Sequence, residues 1–229
     1  YSLEFDGTND YVQLGTAFQS TFRDSFTISM WVKPDDGQPS AESSFFGTRN
    51  SGSEDWIHCN LQTDGDITFY YESDNEAAEA ITSAAVFADG ATDWTHLTVV
   101  ADDVAEQLKI YINGASVTVT GGGLDAVGMV MNDWTSSDEL FIGARDNNGT
   151  AEKFFDGKIS EVALWSTLLS PSQVKTLYNG REPFDAKNMA SGNLVSYWRM
   201  GDGLESASGT TIYDMSANTN NGTLTNHSG

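Results

Sequence analysis

Short runs of branched and aromatic residues, separated by clusters of Gly, Asn and Asp, recur along almost the whole chain. Apolar and polar residues alternate within these runs, and a period of two is typical of a β-strand that buries one face. The spacing of the runs predicts an all-β sandwich or jelly roll. The runs that predict strands are residues 1–5, 11–14, 26–33, 56–61, 67–71, 94–101, 108–112, 140–143, 157–165 and 195–200.

Two dipeptides predict hairpins between neighbouring runs. Asp64-Gly65 follows the run that ends at residue 61, and Asn113-Gly114 follows the run that ends at residue 112. Both dipeptides favour the positive φ that type I′ turns require. The stretch 73–91 is acidic and poor in branched residues, and this composition predicts a loop.

One segment carries the start and stop signals of a helix. Ser170 can cap the first turn, Pro171 fits the first helical position, and Gln173 completes a capping box with Ser170. Gly180 ends the run. These signals predict one short helix over residues 171–179.

The charge of the chain excludes several classes of partner. Its 33 acidic and 11 basic residues give a net charge of −22. Such a chain repels phosphate backbones and anionic lipid heads, so we expect no nucleic-acid partner.

No apolar run approaches the roughly 18 residues of a membrane span, so no membrane insertion is expected. The single cysteine, Cys59, excludes an intrachain disulfide, and the three histidines lack zinc-site spacing.

Six sequence segments together resemble the concanavalin A-like, laminin G-like domains. In order along the chain they are LEFDGTNDYV at 3–12, FTISMWVKP at 26–34, DWTHLTVV at 93–100, KIYING at 109–114, FIGA at 141–144 and FDGKISEVALW at 155–165. The resemblance implies a jelly-roll sandwich of two antiparallel sheets with one short helix.

The resemblance also implies a domain organisation. A laminin G-like sandwich is expected over residues 1–185. The segment 186–229 is similar to the stretch that often links successive modules of this kind, so it either completes the sandwich or leads to a next module. We therefore expect the chain to be part of a larger multi-module protein or assembly.

The tryptophans divide into core and candidate binding residues. The family pattern places Trp31, Trp94, Trp165 and Trp198 in the core, and their strand context also favours burial. Trp134 lies instead in a polar loop, where an indole can stack on a sugar ring while neighbouring polar groups bind hydroxyls.

The candidate ligand-binding residues are Trp134, Trp56, Asp133 and Asn132. For both tryptophans, ordinary packing is the alternative, because Trp134 can pack on the sandwich edge and Trp56 begins a predicted strand.

Calcium is the expected cofactor, because Asp, Asn and carbonyl oxygens at loop rims suit this ion. One candidate cluster is Asp10 with Asn9. In calcium-dependent relatives such as pentraxins, ligands come from two loops that correspond by position to Asp55 and to Asp146 with Asn147. Arg145 departs from the acidic pair of the pentraxin loop, and Asx turns are the structural alternative for Asp6 and Asp10.

Nothing in the spacing of the acids favours catalysis. A retaining glycosidase needs two carboxyls about 5 Å apart, and no strand carries acids at positions i and i+2 or i+4 on one face. The sequence predicts a non-catalytic module, secreted or on a cell or virion surface, that binds a glycan or a surface protein. The alternatives are an assembly module of a virion or cell-surface array and a glycoside hydrolase.

Overall fold

Two β-sheets lie face to face in the structure, a computed structural model that describes residues 2–49, 55–73, 76–124, 138–201 and 209–226. The strands in chain order are β1 Leu3–Asp6, β2 Tyr11–Gln13, β3 Phe26–Pro34, β4 Ser43–Arg49, β5 Trp56–Leu61, β6 Ile67–Ser73, β7 Glu76–Thr82, β8 Thr95–Asp102, β9 Gln107–Ile112, β10 Ala115–Ser116, β11 Val119–Gly121, β12 Phe141–Ile142, β13 Arg145–Asn147, β14 Thr150–Glu152, β15 Asp156–Trp165, β16 Leu194–Trp198, β17 Thr211–Ile212 and β18 Gly222–Thr225. The helix α1 spans Pro171–Tyr178, and short 3-10 helices span Gln19–Arg23, Asn179–Arg181, Ala186–Asn188 and Ser191–Asn193.

The smaller sheet has the order β1-β15-β3-β8-β9-β10, and β16 also pairs with β15. The larger sheet has the order β11-β7-β6-β5-β4-β12-β2-β18-β17, with β13 paired to β4 and to β14. All pairs are antiparallel except β13 with β4. The prediction of a jelly-roll sandwich with two antiparallel sheets and one short helix is confirmed.

The core between the sheets is formed by the apolar residues that alternate with polar ones along the strands. In β1, Leu3 and Phe5 are buried while Glu4 and Asp6 are exposed. Residues of both sheets interlock in this core, where the rings of Phe22 and Phe26 pack edge to face at 5.0 Å. Aromatic side chains dominate the core because each removes a large apolar area from water.

A second core covers the outer face of the smaller sheet. Val174 and Leu177 of α1 pack there with Trp165 of β15, whose indole donates to the carbonyl of Met189 at 2.8 Å. The predicted helix is confirmed, with Ser170 as its cap and Gln173 completing the capping box. Among the described residues, no second hydrophobic cluster of this kind covers the outer face of the larger sheet. Across the described residues, no helix is both long enough and apolar enough to cross a bilayer.

Two local predictions need correction. The predicted loop at 73–91 contains strand β7, because Ala78 and Ala80 are small enough to pack against the core while Glu79 points outward. The turn at Asp64-Gly65 is not type I′, since only Gly65 has positive φ and a five-residue connection separates β5 from β6. The turn at Asn113-Gly114 has positive φ at both residues and is type I′.

The predicted core tryptophans are buried with one exception. Trp31, Trp165 and Trp198 are at most 4% exposed. Trp94 is only half-buried and borders a depression of about 260 Å³ beside Trp31. Trp94 directly precedes β8, so the alternation of the strand does not fix its side chain in the core.

Candidate functional site

The open face of the larger sheet carries a depression of about 600 Å³. We call it the sheet groove, and its walls include Trp56, His58, Asn60, Tyr70, Arg145 and Glu152. It forms on the outer face of β5 and β6. Ile57 and Cys59 of β5 point into the core, so Trp56, His58 and Asn60 point to the opposite face and into the groove.

A row of side chains crosses the groove from strand to strand. His58 lies opposite Tyr70, and Tyr70 lies opposite Glu79. On its other side His58 faces Gly47 of β4. Because Gly47 has no side chain, its backbone lies close to the Cβ of His58 at this point.

We expect Gly47→Ala to lower the free energy of unfolding by about 2 kcal/mol, the usual cost of forcing a methyl group into a filled site. A Cβ at this position would lie 2.5 Å from the Cβ of His58 and 2.9 Å from the carbonyl oxygen of Ile57. Urea unfolding measures the loss. Gly192→Ala is the control, since no atom lies within 4 Å of its added Cβ. Equal stability of the two variants would contradict the close packing of Gly47 against His58.

Aromatic rings form one wall of the groove. The imidazole of His58 stacks on Tyr70, with ring centroids 4.9 Å apart and an interplanar angle of 7°. The ring of Trp56 lies 5.8 Å from that of Tyr70. The guanidinium carbon of Arg49 lies 4.1 Å from the centroid of the Trp56 ring. These contacts fix the orientation of the rings before any ligand arrives.

Ion pairs form the opposite wall. Arg145 donates from Nε and Nη2 to the carboxylate of Glu152, at 3.0 and 2.6 Å. Glu42 lies 3.9 Å from Arg145 and 3.8 Å from Lys153. Burial raises the pKa of Glu152, but the hydrogen bonds and charge of Arg145 outweigh it and hold this pKa below its usual value.

Two buried polar side chains in the groove have unused hydrogen-bonding atoms. His58 is 7% exposed and Asn60 is 1% exposed. Neither Nδ1 of His58 nor Oδ1 of Asn60 has a hydrogen-bond partner among the described residues. Burial lowers the pKa of His58 to about 3, and nearby cations add to the effect, so its ring is neutral at neutral pH. Buried polar atoms of this kind are normally satisfied, which makes them candidate ligand contacts.

The structure places one of the four ligand-binding residues predicted from the sequence, and the other three lie outside the part of the chain that it describes. Trp56 lines the groove. Trp134, Asp133 and Asn132 lie outside the described residues. Their role stays a prediction.

The residues predicted to bind calcium lie on the loop before β2 and beside β4. Asn9 is exposed, Asp10 and Asp55 are buried, and Asn147 donates to Glu152 at 3.2 Å. Asp146 is fully buried, and its two carboxylate oxygens accept from the amides of Glu139 and Gly149. Among the described residues, no three His, Cys, Asp or Glu side chains form a group that could hold a metal ion.

The two backbone amides that donate to Asp146 indicate that its carboxylate holds the surrounding loops in place. Burial raises its pKa to about 6, and the neighbouring acids Asp138 and Glu139 act in the same direction against the two amides. Asp6 has a similar structural role, because its Oδ1 accepts from the amides of Thr8 and Asn9 in an Asx turn. The calcium assignment stays a prediction, and the contacts of Asp146 do not favour it.

Most residues of the groove were not predicted from the sequence. Asn60, Tyr70 and Arg49 carried no recognised motif, and Arg145 stood out only as a departure from a calcium loop. The signal was present in β5, where Trp56, His58 and Asn60 alternate with apolar residues. These three residues share one face of β5, and two of them, His58 and Asn60, are buried although they are polar.

Solved structures share this fold at low sequence identity. A candidate carbohydrate-binding protein of Bacteroides ovatus superposes with a TM-score of 0.68 at 21% identity, covering 98% of this chain and 57% of that one. The CBM40 module of a Ruminococcus gnavus IT-sialidase superposes with a TM-score of 0.61 at 20% identity, covering 77% and 96% of the two chains. That module has also been solved bound to α2,3-sialyllactose.

One curated relative is a much larger protein. Adhesion G-protein coupled receptor V1 of Danio rerio is 25% identical over 173 residues, which span 72% of this chain and 2% of the receptor. The family model for laminin G-type domains of the concanavalin A-like lectin/glucanases superfamily matches residues 6–175. With most of its length matched, the chain belongs to this superfamily.

Proposed function

We propose that the chain is a non-catalytic carbohydrate-binding module and that the sheet groove is its binding site. The observation that carries the proposal is the combination of aromatic rings with buried polar atoms that have no hydrogen-bond partner in the described part of the chain. The faces of Trp56 and Tyr70 suit the apolar face of a pyranose, and Asn60 and His58 can bind its hydroxyls. A volume of about 600 Å³ accommodates one or two sugar rings.

The groove carboxylates are poor candidates for catalysis. A glycosidase needs a general acid that is protonated at working pH, which requires a raised pKa. Glu152 has a lowered pKa and is held by Arg145. Glu42 lies near Arg145 and Lys153 and is likewise placed to balance positive charge.

The relatives support binding and a location outside the cell. The Bacteroides ovatus protein and the CBM40 module are named for carbohydrate binding, and the matching receptor is named for adhesion. We propose that this chain also acts outside the cell or on its surface, as one module of a larger protein. Repetition of modules would raise the avidity of a weak single site.

A glycan array with a single variant tests the proposal. We expect the wild-type chain to bind a subset of glycans and Trp56→Ala to weaken that binding tenfold to hundredfold, because an aromatic anchor typically supplies this much. Calorimetry on the best glycan measures the change. Tyr213→Ala is the control, since Tyr213 is 42% exposed and does not line the groove.

Three outcomes would contradict the proposal. Equal binding by wild type and Trp56→Ala would exclude the groove as the site. Silence across the array, together with a stable oligomer, would favour an assembly module. Glycan cleavage that Glu152→Gln abolishes would show an enzyme.

The same assay tests the remaining predictions about the site. Calcium assistance predicts that a chelator reduces binding and that added calcium restores it. A contribution from the loop predicts that Trp134→Ala weakens binding. If neither change has an effect, the groove alone accounts for recognition.

A further inference from the structure

The sheet groove contains a large share of the basic residues of a strongly acidic protein. The chain has 11 basic residues against 33 acidic ones. Three of the basic residues, Arg49, Arg145 and Lys153, line this one depression. Five acidic residues also line it, so the case for an anionic ligand depends on how the individual charges are paired: these are Glu42, Asp64, Asp66, Glu79 and Glu152.

Two of the three cations already have carboxylate partners. Arg145 binds Glu152 and lies near Glu42, and Glu42 also lies near Lys153. Arg49 differs from both. It forms no ion pair with a described residue, and its buried Nε has no hydrogen-bond partner among them.

The guanidinium of Arg49 is nevertheless fixed in place. Its carbon lies 4.1 Å from the centroid of the Trp56 ring. Stacking on an aromatic ring restricts the planar group and leaves its N–H edge to bind a partner. A fixed guanidinium edge matches the two oxygens of a carboxylate, which it can bind in bidentate fashion.

Negative charge is concentrated at the other side of the groove. Glu79 lies on β7, which is separated from the β4 strand of Arg49 by β5 and β6. Three strand spacings place the two strands roughly 14 Å apart. Asp64 and Asp66 border the groove at the turn between β5 and β6. A glycan with a charge on every ring would meet these carboxylates and be repelled.

We propose that the sheet groove selects a glycan with one carboxylate-bearing sugar, that Arg49 binds this carboxylate, and that neutral sugars extend toward β7. This inference rests on the proposed function and adds the substrate class to it. Trp56 then has two roles, because it stacks on the sugar and orients the arginine. His58 lies two residues from Trp56 on β5 and Asn60 four residues away, roughly 7 and 13 Å along the strand. His58 is therefore placed to bind a hydroxyl of the charged sugar, and Asn60 a hydroxyl of the sugar that follows it.

The test compares acids with their own methyl esters. The probes are α2,3-sialyllactose, an oligosaccharide of neutral sugars that ends in one glucuronate, the methyl ester of each, and polygalacturonate. We expect the preferred acid to bind roughly tenfold to hundredfold more tightly than its ester, the usual strength of a charge-assisted hydrogen bond. Binding of the acid should weaken with added salt. Which acid is preferred distinguishes a sialic acid from a uronic acid.

Variants assign the preference to one residue. Arg49→Gln should reduce the affinity ratio of acid to ester to near one, and Arg49→Lys should retain part of it, because lysine keeps the charge without the planar fork. Arg181→Gln is the control, since Arg181 is exposed and does not line the groove. Circular dichroism confirms that each variant is folded.

Each result decides the inference. A ratio near one in the wild-type chain, or an unchanged ratio in Arg49→Gln, would overturn it while leaving the proposed function in place if neutral glycans still bind. Tighter binding of polygalacturonate than of the singly charged glycans would also overturn it. Failure of every acid, ester and neutral glycan to bind would overturn the proposed function as well.

Discussion

Replacing Trp198 by alanine is expected to lower the free energy of unfolding by about 4 kcal/mol, the typical cost of removing a buried tryptophan. Trp198 is 1% exposed and packs edge to face on Phe18, with ring centroids 5.8 Å apart. Its indole also donates to the carbonyl of Asn220 at 2.8 Å. The substitution leaves a cavity in the core between the sheets and removes the partner of a carbonyl group.

Urea unfolding followed by far-ultraviolet circular dichroism measures this loss. Trp94→Ala is the matched control, because it removes the same side chain from a half-buried position and should cost about 1 kcal/mol. The division of the chain at residue 185 stays a prediction, and this experiment bears on it. Equal effects of the two variants would mean that the sandwich does not depend on the segment after residue 185.

Acidification is expected to destabilise the fold through His96, which should account for about 3 kcal/mol of lost stability between roughly pH 7 and pH 4. Burial lowers the pKa of His96 from 6.5 to about 3 in the folded chain. The unfolded chain therefore takes up a proton first as pH falls below 6.5, and the folded state loses stability down to about pH 3. The ring lies between Ser29, which contacts its Nε2 at 2.8 Å, and the aromatic side chains of Trp31 and Tyr178.

The comparison that isolates this effect uses two variants of the same cluster. His96→Gln should flatten the decline of stability with acid, whereas Thr98→Val removes a neighbouring hydroxyl that donates to Ser29 and should leave the slope unchanged. The variants must be compared with the wild type, because the total change of stability with pH also includes Asp146, which stabilises the fold as pH falls. Its pKa is raised to about 6, so protonation favours the folded state. Identical slopes for His96→Gln and the wild type would show that His96 does not remain neutral in the fold.

Much of the fold could be predicted from the sequence, because the patterns that indicate its strands, its helix and one turn each lie within a few neighbouring residues. The alternation in β1, the capping box at Ser170 and the Asn113-Gly114 turn each depend on a few neighbouring residues, and the structure confirms all three. Strand β7 was missed because Ala78 and Ala80 have little β propensity of their own. Pairing with β6 and contact with the core decide their conformation, and these are tertiary effects.

The site was less accessible because it is assembled across strands that are distant in sequence. Arg49, Tyr70 and Arg145 line one groove because β4 pairs with both β5 and β13, and β5 in turn pairs with β6. The parallel pairing of β13 with β4 has no local sequence signature. Trp56 was identified from its own chemistry, whereas the importance of Gly47 depends on His58 standing opposite. No property of the glycine itself indicates that contact.

The layer formed by α1 and the short helices covers the outer face of the smaller sheet, on the side away from the sheet groove. If the groove binds glycans as proposed, a tethered copy can present it to a glycan-coated surface only when this helical layer is turned away. In a chain of repeated copies, the linkers would therefore have to control rotation as well as distance. Two neighbours turned half a revolution apart could not engage the same surface, however tightly each one binds its sugar.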